Sequence, residues 1–280
     1  MNRSEVRRYY EANTRLFMAL GRERRARSIH RAVWGPGVTT LAAALGYVDG
    51  LISAAAHELT SLRGALRVAD LGCGVGGSLL ALAQGLSPPP LAVGLTISPA
   101  QARLARAYAR ELGLGARCAF VEADFLRAPL APGFDLACAV EALAHAADPA
   151  GFCIEAAGLL APGGQLLICD DFIAATPRTP LERWLVAAFR WGWLLPALGS
   201  AEAAIDHAAA QGLRLAERRD LTPMLRLRPL PLPLAVAAVS LARLASGAHF
   251  FWRSLVGSIA LQSCLDRGLV RYIWLRFEKR

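Results

Sequence analysis

The feature that most restricts the fold is a run of glycines set between an apolar, strand-like stretch and a helical one: Val68-Ala69-Asp70-Leu71-Gly72-Cys73-Gly74-Val75-Gly76-Gly77. Glycine takes up left-handed backbone without strain and lets another molecule approach the main chain closely. A helix that opens straight after such a turn also presents N–H groups with no partner inside the helix. The run therefore predicts a strand, a tight turn and a helix arranged to receive a ligand. Residues 66–71, 91–95, 119–122, 134–140 and 165–169 are short apolar runs of strand length, and segments with helical spacing lie at 78–85, 99–112 and 149–160, the last stopped by Pro162-Gly163-Gly164. Strands alternating with helices predict a doubly wound, mostly parallel α/β sheet covered on both faces. Residues 213–219 and 270–277 alternate as half-exposed strands do, the second with Tyr272 and Trp274 on one side, which predicts an antiparallel terminal pair.

Three helical additions surround this core: an amino-terminal lid over residues 1–60, and insertions near 173–205 and 222–265. The core proper is 61–172, and 173–280 completes the sheet while carrying the insertions. No repeat or low-complexity linker separates these parts, and 280 residues that are 55% hydrophobic suffice for one integrated domain.

Composition narrows the function classes. Lys+Arg 31 against Asp+Glu 22 gives a net charge of +9, yet the only lysine is Lys279 and the arginines are scattered. The basic stripe interleaved with aromatics that marks a nucleic-acid binder is missing, so none is expected as a partner. The cysteines at 73, 118, 138, 153, 169 and 264 form no Cys-x-x-Cys and have no histidine at ligand spacing, which argues against a metal site or a disulfide framework. Free cysteines in apolar runs act as small hydrophobes, and a reducing, cytoplasmic setting is expected. The first residues lack the apolar stretch of a signal peptide. The oily stretches near 184–198 and 230–241 are cut by arginines and prolines and fall short of the roughly 20 apolar residues of a span. They read as helices over an apolar cavity, with peripheral membrane contact left open.

A bare G-x-G turn would also suit a nicotinamide enzyme. Asp70 argues otherwise, since a carboxylate directed into the turn suits the ammonium of an amino-acid tail better than a pyrophosphate. Asp70-x-Gly72-x-Gly74-x-Gly76 resembles the first motif of the class I S-adenosylmethionine-dependent methyltransferases, and the likeness extends over about residues 65–172. Gly94-Leu95-Thr96-Ile97-Ser98-Pro99-Ala100-Gln101 is similar to a stretch of the tocopherol methyltransferases and mycolic-acid cyclopropane synthases, in which Thr and Gln replace the usual acidic residue near the ribose. The resemblance implies S-adenosyl-L-methionine as cofactor, held by Asp70, Gly72 and Gly74, with Thr96 and Gln101 at the ribose or methionine end. It also places adenine against Asp124 and Phe125. The alternative for Asp124 is an Asx turn at a strand end.

Val140-Glu141-Ala142-Leu143-Ala144-His145 resembles the corresponding segment of tocopherol and sterol C-methyltransferases. The resemblance implies a catalytic carboxylate, Glu141, beside the transferred methyl, where it stabilises carbocation character or receives a proton, with His145 as base or as a group orienting it. The plain alternatives are a loop carboxylate bonded to backbone and a core histidine. Tyr10, in a stretch similar to the cyclopropane synthase entry segment, and Trp34, in His30-Arg31-Ala32-Val33-Trp34-Gly35-Pro36-Gly37, would close over the cofactor. Ordinary packing is the alternative for both aromatics.

The insertions carry Trp184, Phe189, Trp191, Trp193, Phe250, Phe251 and Trp252 among many leucines, which favours a hydrophobic small-molecule substrate. The expected reaction is C-methylation of an isoprenoid or other lipid alkene. Arg178, Arg183, Arg190, Arg226 and Arg228 would supply forks for an anionic head group such as a diphosphate. The runner-up is O- or N-methylation of an aromatic or polyketide natural product; behind it stand an acyl-chain cyclopropane synthase and, from a different class, a cofactor-binding scaffold without catalysis.

Overall fold

The computed structural model describes Arg8, Glu11 and residues 30–245 and 250–280. Strands β1 (Arg67–Leu71), β2 (Leu91–Thr96), β3 (Cys118–Glu122), β4 (Phe134–Val140), β5 (Leu160–Ile173), β6 (Leu213–Asp220) and β7 (Val270–Lys279) form one sheet in the order β3-β2-β1-β4-β5-β7-β6. β1 to β5 pair in parallel, and β7 runs antiparallel to both β5 and β6. The chain winds outward from β1 to β3 and returns beside β1 as β4. That reversal opens a crevice at the carboxyl ends of the central strands, where ligands of open α/β sheets bind.

The helices are α1 (Leu41–Leu45), α2 (Tyr47–Arg63), α3 (Gly77–Gly85), α4 (Pro99–Glu111), α5 (Pro149–Leu159), α6 (Pro180–Gly192), α7 (Ala201–Ala209), α8 (Leu232–Ala245) and α9 (Phe250–Asp266). Several begin where local chemistry requires. Ser98, Asp148 and Thr179 cap α4, α5 and α6 with side-chain oxygens, each followed by a proline at the first helical position, and Glu182 completes a capping box with Thr179.

Alternation along the strands divides the core into two layers. Val68, Cys138, Cys169, Tyr272 and Trp274 face α2, α3 and α4, whereas Ala69, Ala137, Ile168, Ile273 and Phe277 face α5 and α7. The expected lid boundary at residue 60 falls inside α2. Its buried Val48, Ile52, Ala55, Ala56 and Leu59 follow a helical stripe and pack on the sheet, so α2 is part of the core's helical layer. A third apolar cluster joins α6, α8 and α9 as a separate layer over the carboxyl ends of the strands. All six cysteines are buried and free, and their thiols are pushed up chiefly by burial. Among the described residues no side-chain group could hold a metal ion.

Candidate active site

A cavity of about 480 Å³ opens between the strand ends and the α6–α9 layer. Its floor is the glycine turn. Gly72 has φ +112, and a Cβ there would meet the Ala142 Cβ at 2.5 Å; Gly74 has φ +54, with no atom within 4 Å of the position its Cβ would take. The first glycine permits close packing beneath the turn, and the second leaves the space above it to a ligand. Gly76, left-handed at φ +83, caps α3, whose first-turn Ser78 shares a hydrogen bond of 2.6 Å with His30 Nε2.

Thr96 and Gln101 meet at the end of β2. The Thr96 hydroxyl donates to Gln101 Oε1 at 2.8 Å and accepts the Ser98 N–H, so the amide is oriented and its N–H groups have no protein acceptor among the described residues. Asp124 and Phe125 line the cavity beyond β3. Asp124 accepts the Leu126 N–H at 3.0 Å, so the Asx turn forms and the residue also faces the cavity. Phe125 stands edge-on to Phe152 with centroids 5.5 Å apart.

Two expected contacts sit elsewhere. Asp70 is buried in β1 and does not line the cavity; burial, with Asp49 nearby, raises its carboxyl to about 7. Trp34 is also off the cavity wall. Its backbone N–H donates to the Met224 carbonyl at 2.7 Å, and Arg226 stacks on its ring at 3.3 Å, so it ties the entry segment to the chain after β6. Tyr10 lies outside the described residues.

Glu141 stands at the end of β4 with φ 51, a left-handed conformation that costs a non-glycine residue roughly 1–2 kcal/mol. Its Oε1 accepts the Arg31 backbone N–H at 2.9 Å and the Tyr272 hydroxyl at 3.0 Å, and Oε2 has no bond among the described residues. The Arg31 guanidinium forks onto Asp171 at 2.7 and 2.8 Å and lies 4.5 Å from the Tyr272 ring centroid. The sheet register sets this up, because Asp171 on β5 and Tyr272 on β7 are directly paired. Burial, with Cys169 and Glu141 beside it, pushes the Tyr272 phenol well above its ordinary range, so it stays a donor.

His145 lines the same wall. Burial lowers its imidazole to about 4 against a hydrogen bond to the Leu194 backbone, so it is neutral near pH 7. Asp170 accepts the Ala144 and Asp171 N–H groups, and burial beside Asp171 raises it to about 7. Phe189, Trp193, Leu195, Pro196 and Leu261 form the apolar roof. Sequence reasoning missed Arg31, Asp170, Asp171 and Tyr272 as site residues. The available signal was two consecutive aspartates inside an otherwise apolar strand.

The arginines expected to hold an anionic head group are not on the wall. Arg178, Arg183, Arg190, Arg226 and Arg228 are exposed and line no part of the cavity. Arg183 and Arg190 donate to the Arg178 and Pro196 carbonyls. The charged lining described is Asp124, Glu141, Asp170 and Asp171 against Arg31, which Asp171 already engages.

Residues 69–168 match the family model described as "Methyltransferase domain". The parallel core of the sheet is thus similar to a methyltransferase domain. Geranyl diphosphate C-methyltransferase from Streptomyces coelicolor A3(2), solved with S-adenosyl-L-homocysteine, superposes with a TM-score of 0.69 at 18% identity, covering 99% of this chain and 97% of that one, which is a likeness of fold. Tocopherol O-methyltransferase of Arabidopsis thaliana is 38% identical over 103 residues, 36% of this chain and 29% of that protein. Cycloartenol-C-24-methyltransferase 1 of Oryza sativa subsp. japonica is 27% identical over 213 residues, 74% of this chain and 60% of its own length. The matches thus span less than two thirds of these curated relatives. The cyclopropane synthase MmaA2 of Mycobacterium tuberculosis superposes with a TM-score of 0.78 at 18% identity, covering 100% of this chain and 99% of that one, which is a likeness of fold. The site fits S-adenosyl-L-methionine on its own geometry: the space above Gly74, the oriented Gln101 amide and the Asp124–Phe125 corner supply backbone access, hydrogen-bond donors, an acceptor and a ring face.

Proposed function

We propose that this chain transfers a methyl group from S-adenosylmethionine to carbon of a neutral hydrophobic alkene of isoprenoid or other lipid type. The observation that carries the reading is Glu141. Its carboxylate is held at the cavity wall by two donors on one oxygen, with the other oxygen bonded to none of the described residues, between the glycine turn and an apolar roof. When bound, the cofactor supplies a methyl on a sulfonium centre. Methylation of an alkene carbon leaves positive charge on its neighbour, and a fixed carboxylate in a water-poor cavity stabilises charge there without reorganising. Loss of a proton then restores the double bond, with the free Glu141 oxygen as acceptor. Phe189, Trp193 and Leu195 exclude water and align the apolar chain, which such a displacement needs more than strong acid or base.

Thr96, Gln101, Asp124 and Phe125 hold the cofactor from ribose to adenine in this reading, with the Gly72–Gly74 backbone at the methionine end. Asp70 is buried in β1 beneath the turn and makes no contact with the cofactor in this reading. His145, neutral and tied to Leu194, shapes the wall beside Glu141. Four carboxylates against one engaged guanidinium disfavour a diphosphate, so the neutral alkene is preferred over its phosphorylated form. O- or N-methylation of a natural product remains the second reading. Asp170 favours it, as a cavity carboxyl raised to about 7 that is matched to general-base work near neutrality.

The test is methyl transfer from labelled donor to neutral isoprenoid alkenes, to the matching diphosphates, and to phenols and amines. Carbon-methylated product from the neutral alkenes, lost in Glu141→Gln, is expected. Product from only the diphosphates or only the heteroatom acceptors would overturn the proposal.

A further inference from the structure

The outer side of the roof carries an exposed apolar stripe with no partner among the described residues. In α8, Ala235, Val239 and Ala242 face inward and are buried. On the opposite side Leu234, Ala237, Leu241 and Leu244 recur at helical spacing and are exposed, Leu241 to 67% and Leu244 to 84%. Leu230 just before the helix and Trp252 on α9 are exposed as well. The other large exposed hydrophobics described, Leu62, Leu91 and Ile154, lie on separate elements of the core. A helix apolar on both sides is ordinarily covered on both.

Charge identifies the cover. Between Asp220 and Asp266 the sequence contains no acidic residue, and it carries Arg226, Arg228, Arg243 and Arg253. Arg228 and Arg243 are exposed at the two ends of the stripe. An apolar stripe edged by cations and free of carboxylates matches the interface of an anionic bilayer, where leucine and tryptophan enter the acyl boundary and arginines meet the head groups. A second copy of the chain on this face would bring the same cations opposite one another around a two-fold axis. The 14 residues of α8 span about 21 Å, short of the roughly 30 Å hydrocarbon core, and no helix described is long and apolar enough to cross a membrane. We propose that the α8 face docks flat on an anionic lipid surface. α8 packs on α9, which contributes Leu261 to the cavity roof, so docking would set the site against the phase in which an apolar acceptor dissolves. The inference rests on the stripe and its charge, not on the acceptor or the chemistry.

Co-sedimentation of the full chain with phosphatidylcholine vesicles, with and without about a third phosphatidylserine, tests it directly. Binding to the anionic vesicles, at least about tenfold stronger than to the neutral ones and weakened by salt, is expected. Leu241→Glu/Leu244→Glu should lower it about tenfold or more, and Leu241→Ser/Leu244→Ser should lower it without introducing repulsion. Both positions are exposed, and unchanged melting would show that the fold is kept. Absence of binding to anionic vesicles, or binding indifferent to both variants, would overturn the proposal. So would a vesicle-indifferent dimer that the same variants convert to monomer, which would assign the stripe to a second copy.

Discussion

In the proposed reaction the chemistry rests on Glu141, which combines a strained backbone conformation at a strand end, two donors on one oxygen and a cavity in front of the other. Glu141→Gln should keep S-adenosylhomocysteine affinity within about threefold and lower turnover by roughly 10²–10³, the scale seen when a preorganised charge-stabilising group is removed. Tyr272→Phe removes one donor to that carboxylate. A hydrogen bond to a charged group contributes about 1.5–3 kcal/mol, so kcat should fall roughly 10- to 100-fold with cofactor binding unchanged; equal losses in both would point to a structural defect. Asp70 gives a stability prediction with a defined sign. Its carboxyl rises from 3.8 to about 7 on folding, so between these values the folded chain holds a proton the unfolded chain has released. Stability from this group is therefore full at low pH and declines as pH rises from about 4 to about 7. Asp70→Asn should raise the melting temperature near pH 8 and leave it unchanged near pH 4; an equal shift at both would show that Asp70 titrates normally. Thr96, Gln101, Asp124, Phe125, Glu141 and His145, singled out by family resemblance, all line the cavity, since each lies within a few residues of a strand end. Arg31, Asp171 and Tyr272 were not legible in the sequence: Asp171 and Tyr272 meet only through the pairing of β5 with β7, about a hundred residues apart, and Arg31 reaches Asp171 from the segment before α1.

The strands and helices of the core followed from periodicity nearly to the residue, with β4 found at Phe134–Val140 as the apolar run indicated. β5 extends beyond the expected 165–169 to Leu160–Ile173, because Asp170 and Asp171 stay in the ladder while their side chains find partners inside: backbone N–H groups for one, Arg31 for the other. The amino-terminal segment was expected only as a helical lid; the buried stripe of α2 and the surface it covers depend on where β4 and β7 fall in the sheet. The roof is held by a close crossing of α6 and α9, where the two backbones touch at Gly192 and Gly257. A Cβ on Gly192 would collide with the Gly257 main chain, and one on Gly257 with the Trp193 indole. Gly192→Ala should therefore spread the helices and cost about 1–3 kcal/mol of stability. Hydrogen exchange should show the loss in α6, α8 and α9 and spare β1 to β5; uniform loss over the chain would argue against a separable roof layer.

At the scale of the whole molecule, the winding order of the sheet determines where the chemistry sits. The reversal between β1 and β4 leaves the glycine turn and Glu141 on the two sides of one crevice, and the remaining helices close it with apolar side chains. The wall is acidic and the roof oily, a combination suited to a neutral substrate that becomes positive as it reacts. All of this depends on the crevice being the cofactor site. The most direct measurement is isothermal calorimetry of S-adenosylhomocysteine with the wild-type chain, Gln101→Ala and Glu141→Gln. Micromolar binding, weakened about tenfold or more in Gln101→Ala through loss of the oriented amide and retained in Glu141→Gln, is the expected result. A folded wild-type chain that does not bind, or that binds no better than Gln101→Ala, would contradict the placement of the cofactor in this cavity.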